Sequence, residues 1–149
     1  QMAYLAQFAV EEGTMTPEQA DAAIEQVREQ VGNIRGLSAD SQLGPASLLG
    51  VPKSYWLDLA GYDPVAQAAG IDVPMLFLQG GRDYQVTMDD FALWQALSNK
   101  ANAEFQSFGS LGHMFTPGGA KPSPNDYRTA YVRVDAAVTD AIAAFIKGR

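Results

Sequence analysis

Two turns of this chain carry side chains that could do chemistry together. Asp83 follows an apolar run, residues 73–79, at a turn of sequence Gly-Gly-Arg-Asp. His113, the only histidine, lies further along in Leu-Gly-His-Met-Phe. A carboxylate that holds an imidazole in one tautomer lets the ring take a proton from a nucleophile. The two residue types therefore indicate the acid and the base of a catalytic triad.

The third member of such a triad, a serine in Gly-x-Ser-x-Gly, is absent from the sequence. That motif exposes the serine on a sharp turn between a strand and a helix. Ser47 and Ser110 each have glycines nearby, but neither follows a strand with a glycine two positions away on both sides. We interpret both as turn residues. We therefore expect this chain alone to lack hydrolytic activity.

Taken one at a time, the acid and the base are weak signals. An aspartate after a strand often caps the next helix or binds turn amides, and a lone histidine is more often structural. Their joint placement is stronger evidence, since both follow predicted parallel strands. Parallel strands in α/β sheets end at the edge where ligands bind. This favours a site containing Asp83 and His113.

The elements around the pair predict a strand-helix-strand-helix unit. Residues 73–79 are apolar on both faces, as in a parallel strand covered by helices on both sides. Thr87 and Asp90 form a capping box for a helix to about residue 99, and residues 103–108 predict a second strand near the sheet margin. The periodicity predicts that Met88, Phe91, Trp94 and Leu97 line one face of the first helix. A final helix, about 132–147, is predicted to bury Val134, Val138, Ala141, Ile142 and Phe145.

The N-terminal part of the sequence is predicted to form helices and no strands. One helix spans residues 2–12 and ends at Gly13, and a second starts at the Thr16 capping box and stops at Gly32. Residues 36–54 predict a connector with one irregular turn. The aromatic patch at residues 55–62 is interpreted as core packing, with the lining of a pocket for apolar or aromatic acyl groups as the alternative. A short helix is predicted at 65–69.

Composition excludes several functions. A net charge of -7 repels nucleic acid and anionic lipid, and no basic cluster offsets it. No apolar stretch reaches the about 20 residues of a membrane span. Cysteine is absent, which leaves the compartment open. We expect no cofactor, since Gly80-Gly81 is interpreted as turn geometry, and no metal, since Asp89 and Asp90 suit a helix dipole. A first residue of Gln suggests an excised piece.

The residues 80–86 and 111–115 together resemble the closing part of a bacterial α/β-hydrolase, whose triad runs serine, aspartate, histidine. Residues 55–64 and 122–127 are similar to serine hydrolases near the dienelactone-hydrolase and serine-aminopeptidase branches. The resemblance implies an α/β fold comprising the last two parallel strands with flanking helices, plus a helical cap segment. It implies a cap at residues 1–54 and the C-terminal part of the core at residues 55–149.

The resemblance also implies a function. A serine from the N-terminal half of the same hydrolase would attack a carboxylic ester, or an amide or peptide, with His113 as base and Asp83 as the carboxylate that orients it. Tyr84, Gln85, Met114 and Phe115 flank the pair and are predicted to bind substrate. Two alternatives stay open: a non-catalytic scaffold that binds a small apolar ligand or a protein partner, and a helical interaction module at residues 1–70. Open sheet edges predict self-association.

Overall fold

The computed structural model describes residues 1–119, 121–127 and 133–148. The chain divides into two compact units, Met2–Asp63 and a second unit formed by Gln1 with Pro64–Arg149. No helix within the described ranges is both long and apolar enough to cross a membrane.

A helical hairpin forms most of the first unit. Helix α1 spans Met2–Glu11 and packs on α2, Pro17–Arg35. Gly13 has a φ of +69°, as expected after a helix end, and the Thr16 capping box is present. The predicted stop at Gly32 is wrong, since α2 continues to Arg35, and the N–H of the following Gly36 donates to the Gly32 carbonyl. A glycine inside a helix costs only about 1 kcal/mol, which the surrounding helix formers and the packing on α1 can offset.

The rest of the first unit contains a short 3-10 turn, Pro45–Ser47, and helix α3, Lys53–Ala60. The prediction that the whole aromatic patch at residues 55–62 packs in a core is wrong, since Tyr55, Leu59 and Tyr62 are 50%, 42% and 59% exposed. Trp56 is half-buried, and its indole N–H donates to the carbonyl of the fully buried Leu48. A helix of eight residues turns one face inward, so Tyr55 and Leu59 on its other face remain outside, and Tyr62 lies beyond the end of the helix.

The second unit contains the sheet. Its elements are α4 (Pro64–Ala69), β1 (Met75–Gly80), α5 (Met88–Trp94), β2 (Ala103–Phe108) and α6 (Ala136–Lys147). Strands β1 and β2 pair in parallel, from Met75 opposite Ala103 to Gly80 opposite Phe108. Both strands therefore end at the same edge of the sheet, as the sequence predicts.

An aromatic cluster joins the sheet to α5. Phe77 stacks on Phe105 with ring centroids 4.8 Å apart and also contacts Trp94 at 5.1 Å. Phe91 is 4% exposed and meets Phe105 edge to face. Burial of these rings provides the main apolar contact between the helix and the strands.

Several predicted boundaries and burials in this unit are wrong. The strand starts at Met75, and Val73 before it is 65% exposed. Helix α5 ends at Trp94 and continues as a 3-10 turn, Gln95–Leu97, while Met88 is 42% exposed. Helix α6 starts at Ala136 because the Asp135 carboxylate accepts the N–H of Ala137, and residue 132 lies outside the described residues.

Burial on the sheet and on α6 is also lower than predicted. Val134 and Ile142 are 51% and 40% exposed, although Val138 is buried. Most of β1 is only half-buried, so the expected cover on both faces is not provided by the described residues. Two strands present too narrow a surface to bury whole helix faces.

Candidate functional site

The turn after β1 holds the Asp83 carboxylate in place. The backbone N–H of Asp83 donates to the Gly80 carbonyl at 3.1 Å. Its Oδ1 accepts the N–H groups of Gln85 at 2.8 Å and Val86 at 3.0 Å. The Gln79 side chain, 7% exposed, closes the turn from within by donating to the carbonyls of Gly80 and Val86. These contacts leave Oδ2 of Asp83 for another donor.

The His113 loop is closed on itself. Leu111, which is 2% exposed, forms a bridge with Pro117, and the Gly112 N–H donates to the Thr116 carbonyl at 3.0 Å. Phe115 completes the turn with a φ of +53°, which is uncommon for a residue with a side chain. Its carbonyl accepts the N–H of Asp135 just before α6. The loop is therefore anchored at both its start and its end.

Two glycines allow the two turns to approach. The N–H of Gly81 donates to the Phe108 carbonyl, and that of Arg82 donates to the Leu111 carbonyl. A Cβ on Gly80 would lie 2.5 Å from the Gly112 oxygen, and one on Gly81 would lie 2.8 Å from Gly109 Cα. Neither Gly80 nor Gly81 is among the positive-φ residues. The glycine pair lies at the turn before Asp83, as interpreted, and is needed there for close backbone approach rather than for a positive φ.

Asp83 and His113 are in contact, as their spacing predicts. Nδ1 of His113 lies 2.8 Å from Oδ2 of Asp83. The Asp83 side chain is 6% exposed and that of His113 is 38% exposed. An ionised carboxylate only accepts, so Nδ1 carries the hydrogen and donates it. In the neutral ring Nε2 then has a free lone pair, and no described residue forms a hydrogen bond with it.

The remaining predicted site residues fall into two groups. The Tyr84 ring lies 6.2 Å from that of Tyr127, and the Gln85 side-chain amide donates to the Tyr127 hydroxyl at 3.0 Å. Met114 is 55% exposed beside His113 in sequence, and the Phe115 ring packs edge-on against Phe108. Tyr84 and Gln85 thus share a neighbour that the sequence interpretation did not include among the site residues.

Three further residues around the site were missed by the sequence interpretation. Gln79 supports the turn after β1 that holds Asp83, here called the acid's turn. Arg82 forms an ion pair with Asp126, with NH2 of Arg82 3.5 Å from Oδ2 of Asp126. A polar residue at the end of an apolar strand is a signal that could have identified Gln79. No sequence pattern links Arg82 to Asp126, because that contact depends on how the chain folds back.

The described residues contain no group of three or more His, Cys, Asp or Glu side chains that could hold a metal ion. Ser47 lies in the 3-10 turn Pro45–Ser47 of the first unit, and Ser110 lies in the turn after β2. Both positions agree with their interpretation as turn residues. The acid-base pair therefore stands without a nucleophile hydrogen-bonded to Nε2 among the described residues.

The described residues thus bring a buried carboxylate and a half-exposed imidazole into contact at the carboxyl edge of two parallel strands. The chain is 38% identical over 100 residues, 66% of its length, to esterase EstD of Thermotoga maritima. It spans about a quarter of that relative, 24% of its length. No known family profile and no solved structure matches the sequence.

The similarity is consistent with a partial esterase-like hydrolase. The two-stranded parallel sheet with flanking helices is likewise consistent with part of an α/β fold.

Proposed function

We propose that this chain supplies the base and the orienting acid of a serine hydrolase that cleaves carboxylic esters, with amides or peptides as further substrates. The observation that carries the proposal is the 2.8 Å contact between Nδ1 of His113 and Oδ2 of Asp83. It leaves Nε2 free to accept a proton from an attacking hydroxyl. The esterase relative supports the ester-cleaving part of the proposal.

In this reaction the serine oxygen attacks the ester carbonyl while Nε2 of His113 takes the serine proton. The imidazolium that forms is stabilised by the Asp83 carboxylate, which stays ionised. Collapse of the tetrahedral intermediate expels the alcohol, which receives the proton from Nε2. A water molecule, deprotonated by the same nitrogen, then hydrolyses the acyl-serine and regenerates the enzyme.

The serine and the oxyanion hole are proposed to come from an N-terminal half of the same hydrolase. No Gly-x-Ser-x-Gly occurs among the 149 residues, and a base without its nucleophile leaves nothing to acylate. The chain by itself should therefore be inactive. Tyr84, Gln85, Met114 and Phe115 are proposed to line the substrate site beside the acid and the base.

The test uses the full-length protein that carries this chain. An activity-based phosphonate probe should label the wild type, and His113→Ala should abolish labelling and most ester turnover. Asp83→Asn should lower kcat on the order of 10⁴-fold, because an amide in place of the carboxylate favours the wrong imidazole tautomer. Asp89→Asn, an exposed carboxylate in the first turn of α5, is the matched control and should retain activity.

The outcomes separate the alternatives. Near-normal ester hydrolysis by His113→Ala would refute the assignment of the base. A folded wild type that neither hydrolyses esters nor reacts with the probe would instead favour the non-catalytic scaffold that binds an apolar ligand or a partner.

A further inference from the structure

The Arg82 side chain lies in an unusual environment beside the acid's turn. It is 13% exposed, and its Nε, NH1 and NH2 atoms are buried without a hydrogen-bond partner among the described residues. Its ion-pair partner is Asp126, whose Oδ2 lies 3.5 Å from NH2. A buried guanidinium loses much hydration, so removing its carboxylate partner is strongly unfavourable. This ion pair therefore links the turn that holds Asp83 to the segment that contains Asp126.

Asp126 also shapes the segment that contains it, a 3-10 turn at Pro124–Tyr127. Its Oδ2 accepts the Ser123 N–H at 3.2 Å, and its own N–H donates to the Ser123 carbonyl at 3.0 Å. A Cβ on Gly118 would collide with NH1 of Arg82 and would lie 2.9 Å from Oδ2 of Asp126. The absence of a side chain at Gly118 thus leaves room for the ion pair.

Tyr127 ends this 3-10 turn and contacts the acid's turn at a second point. Its hydroxyl accepts the Gln85 side-chain N–H at 3.0 Å, and its ring lies 6.2 Å from that of Tyr84. The backbone N–H of the same Gln85 donates to Oδ1 of Asp83. Arg82 and Gln85 therefore connect the Tyr127 segment to the turn that holds the carboxylate, one on each side of Asp83 in sequence.

We propose that Tyr127 is a specificity-determining wall for the acyl group, and that Arg82 is the positioning residue that fixes it there through Asp126. This inference rests on the proposed esterase function. Tyr127 is 37% exposed as a residue, which leaves part of its surface for an apolar or aromatic acyl chain next to Tyr84. Arg82 touches no reacting atom, and it acts only by placing Tyr127.

The first test compares two esters with the same leaving group, an acetyl and a benzoyl ester, in the full-length protein. Tyr127→Ala should lower the ratio of benzoyl to acetyl kcat/KM about tenfold, with the loss in KM. Arg82→Met should reproduce that pattern, and Gly118→Ala, which keeps both charges, should shift the ratio in the same direction. Arg28→Met is the matched control, since Arg28 is an exposed arginine with its own ion pair to Glu25.

A second readout does not depend on activity. Amide hydrogen exchange at Ser123 and Asp126 should be at least tenfold faster in Arg82→Met than in the wild type or in Arg28→Met, because the turn loses its anchor. If the wild type proves not to be an esterase, this comparison still tests whether Arg82 fixes the segment, while the role in specificity falls with the activity.

Two results would overturn the inference in an active esterase. One is an equal loss of kcat/KM for both esters in Arg82→Met, which is what general destabilisation produces. The other is unchanged amide exchange at Ser123 and Asp126 in that variant.

Discussion

Replacing Gly80 by Ala should separate the acid from the base without altering either residue. The added Cβ would lie 2.5 Å from the Gly112 oxygen and 2.8 Å from the Leu111 oxygen, whereas ordinary contact begins at about 3.4 Å. Both obstacles are backbone atoms, so a rotamer change cannot relieve them. One turn must move by roughly 1 Å, at a cost of about 1–3 kcal/mol for overpacking.

The catalytic consequence follows from the length of the contact. If the shift lies along the line from Nδ1 of His113 to Oδ2 of Asp83, the 2.8 Å separation grows to about 3.7 Å, beyond a hydrogen bond. A misplacement of about 1 Å can cost on the order of 100-fold in rate. We therefore expect Gly80→Ala to lower kcat in the full-length protein by about that factor and to lower Tm by a few degrees.

The assay combines steady-state ester hydrolysis with thermal unfolding followed by circular dichroism. Gly109→Ala is the matched control, because a Cβ at Gly109 meets no atom within 4 Å although Gly109 faces Gly81 across the same approach. It should leave Tm and kcat close to those of the wild type. A Gly80→Ala protein with unchanged Tm and kcat within threefold of the wild type would refute the reasoning.

Two further predictions concern stability. Hydrogen bonds from Thr87, first from its backbone N–H and then from its hydroxyl, lower the pKa of Asp90. The contribution of Asp90 to the free energy of unfolding is therefore present above the ordinary carboxyl pKa and is lost as pH falls through the lowered pKa. In urea unfolding near pH 7, the free energy of unfolding of Asp90→Asn should be lower than that of the wild type by about half a kcal/mol or less, and the difference should vanish in acid. A difference that grows in acid would contradict stabilisation by the ionised Asp90. Phe91→Ala should lower the free energy of unfolding by about 3 kcal/mol or more, since Phe91 is 4% exposed and packs against Phe105. Leu93→Ala in the same helix should lower it by about 0.5 kcal/mol or less, since Leu93 is 65% exposed. Equal unfolding midpoints for the two variants would contradict the packing described for α5.

Local signals predicted the elements that position the site. The Thr16 capping box, the strand at residues 103–108 and the turn after β1 each depend on neighbouring residues, and each is present in the structure. Helix ends were less predictable. Gly32 stays inside α2, and α6 starts only at Ala136, because contacts and caps decide where a helix stops more than single residues do.

Burial was predicted least well. The sequence interpretation placed Ile142, Val134 and the patch at residues 55–62 in a core, yet many of these side chains are exposed. Periodicity shows which side chains share a face, but it does not show whether a surface lies opposite that face. In the second unit the described residues provide two strands, which cover only part of the helix faces.

The sequence by itself determined that an acid and an imidazole follow two parallel strands, and hence that they would meet at one sheet edge. This is a consequence of strand direction and of the local turn residues. Only the tertiary structure decided the 2.8 Å contact, the close approach that Gly80 and Gly81 permit, and the pairing of Arg82 with Asp126. These depend on distances between segments far apart in sequence, which no local pattern encodes.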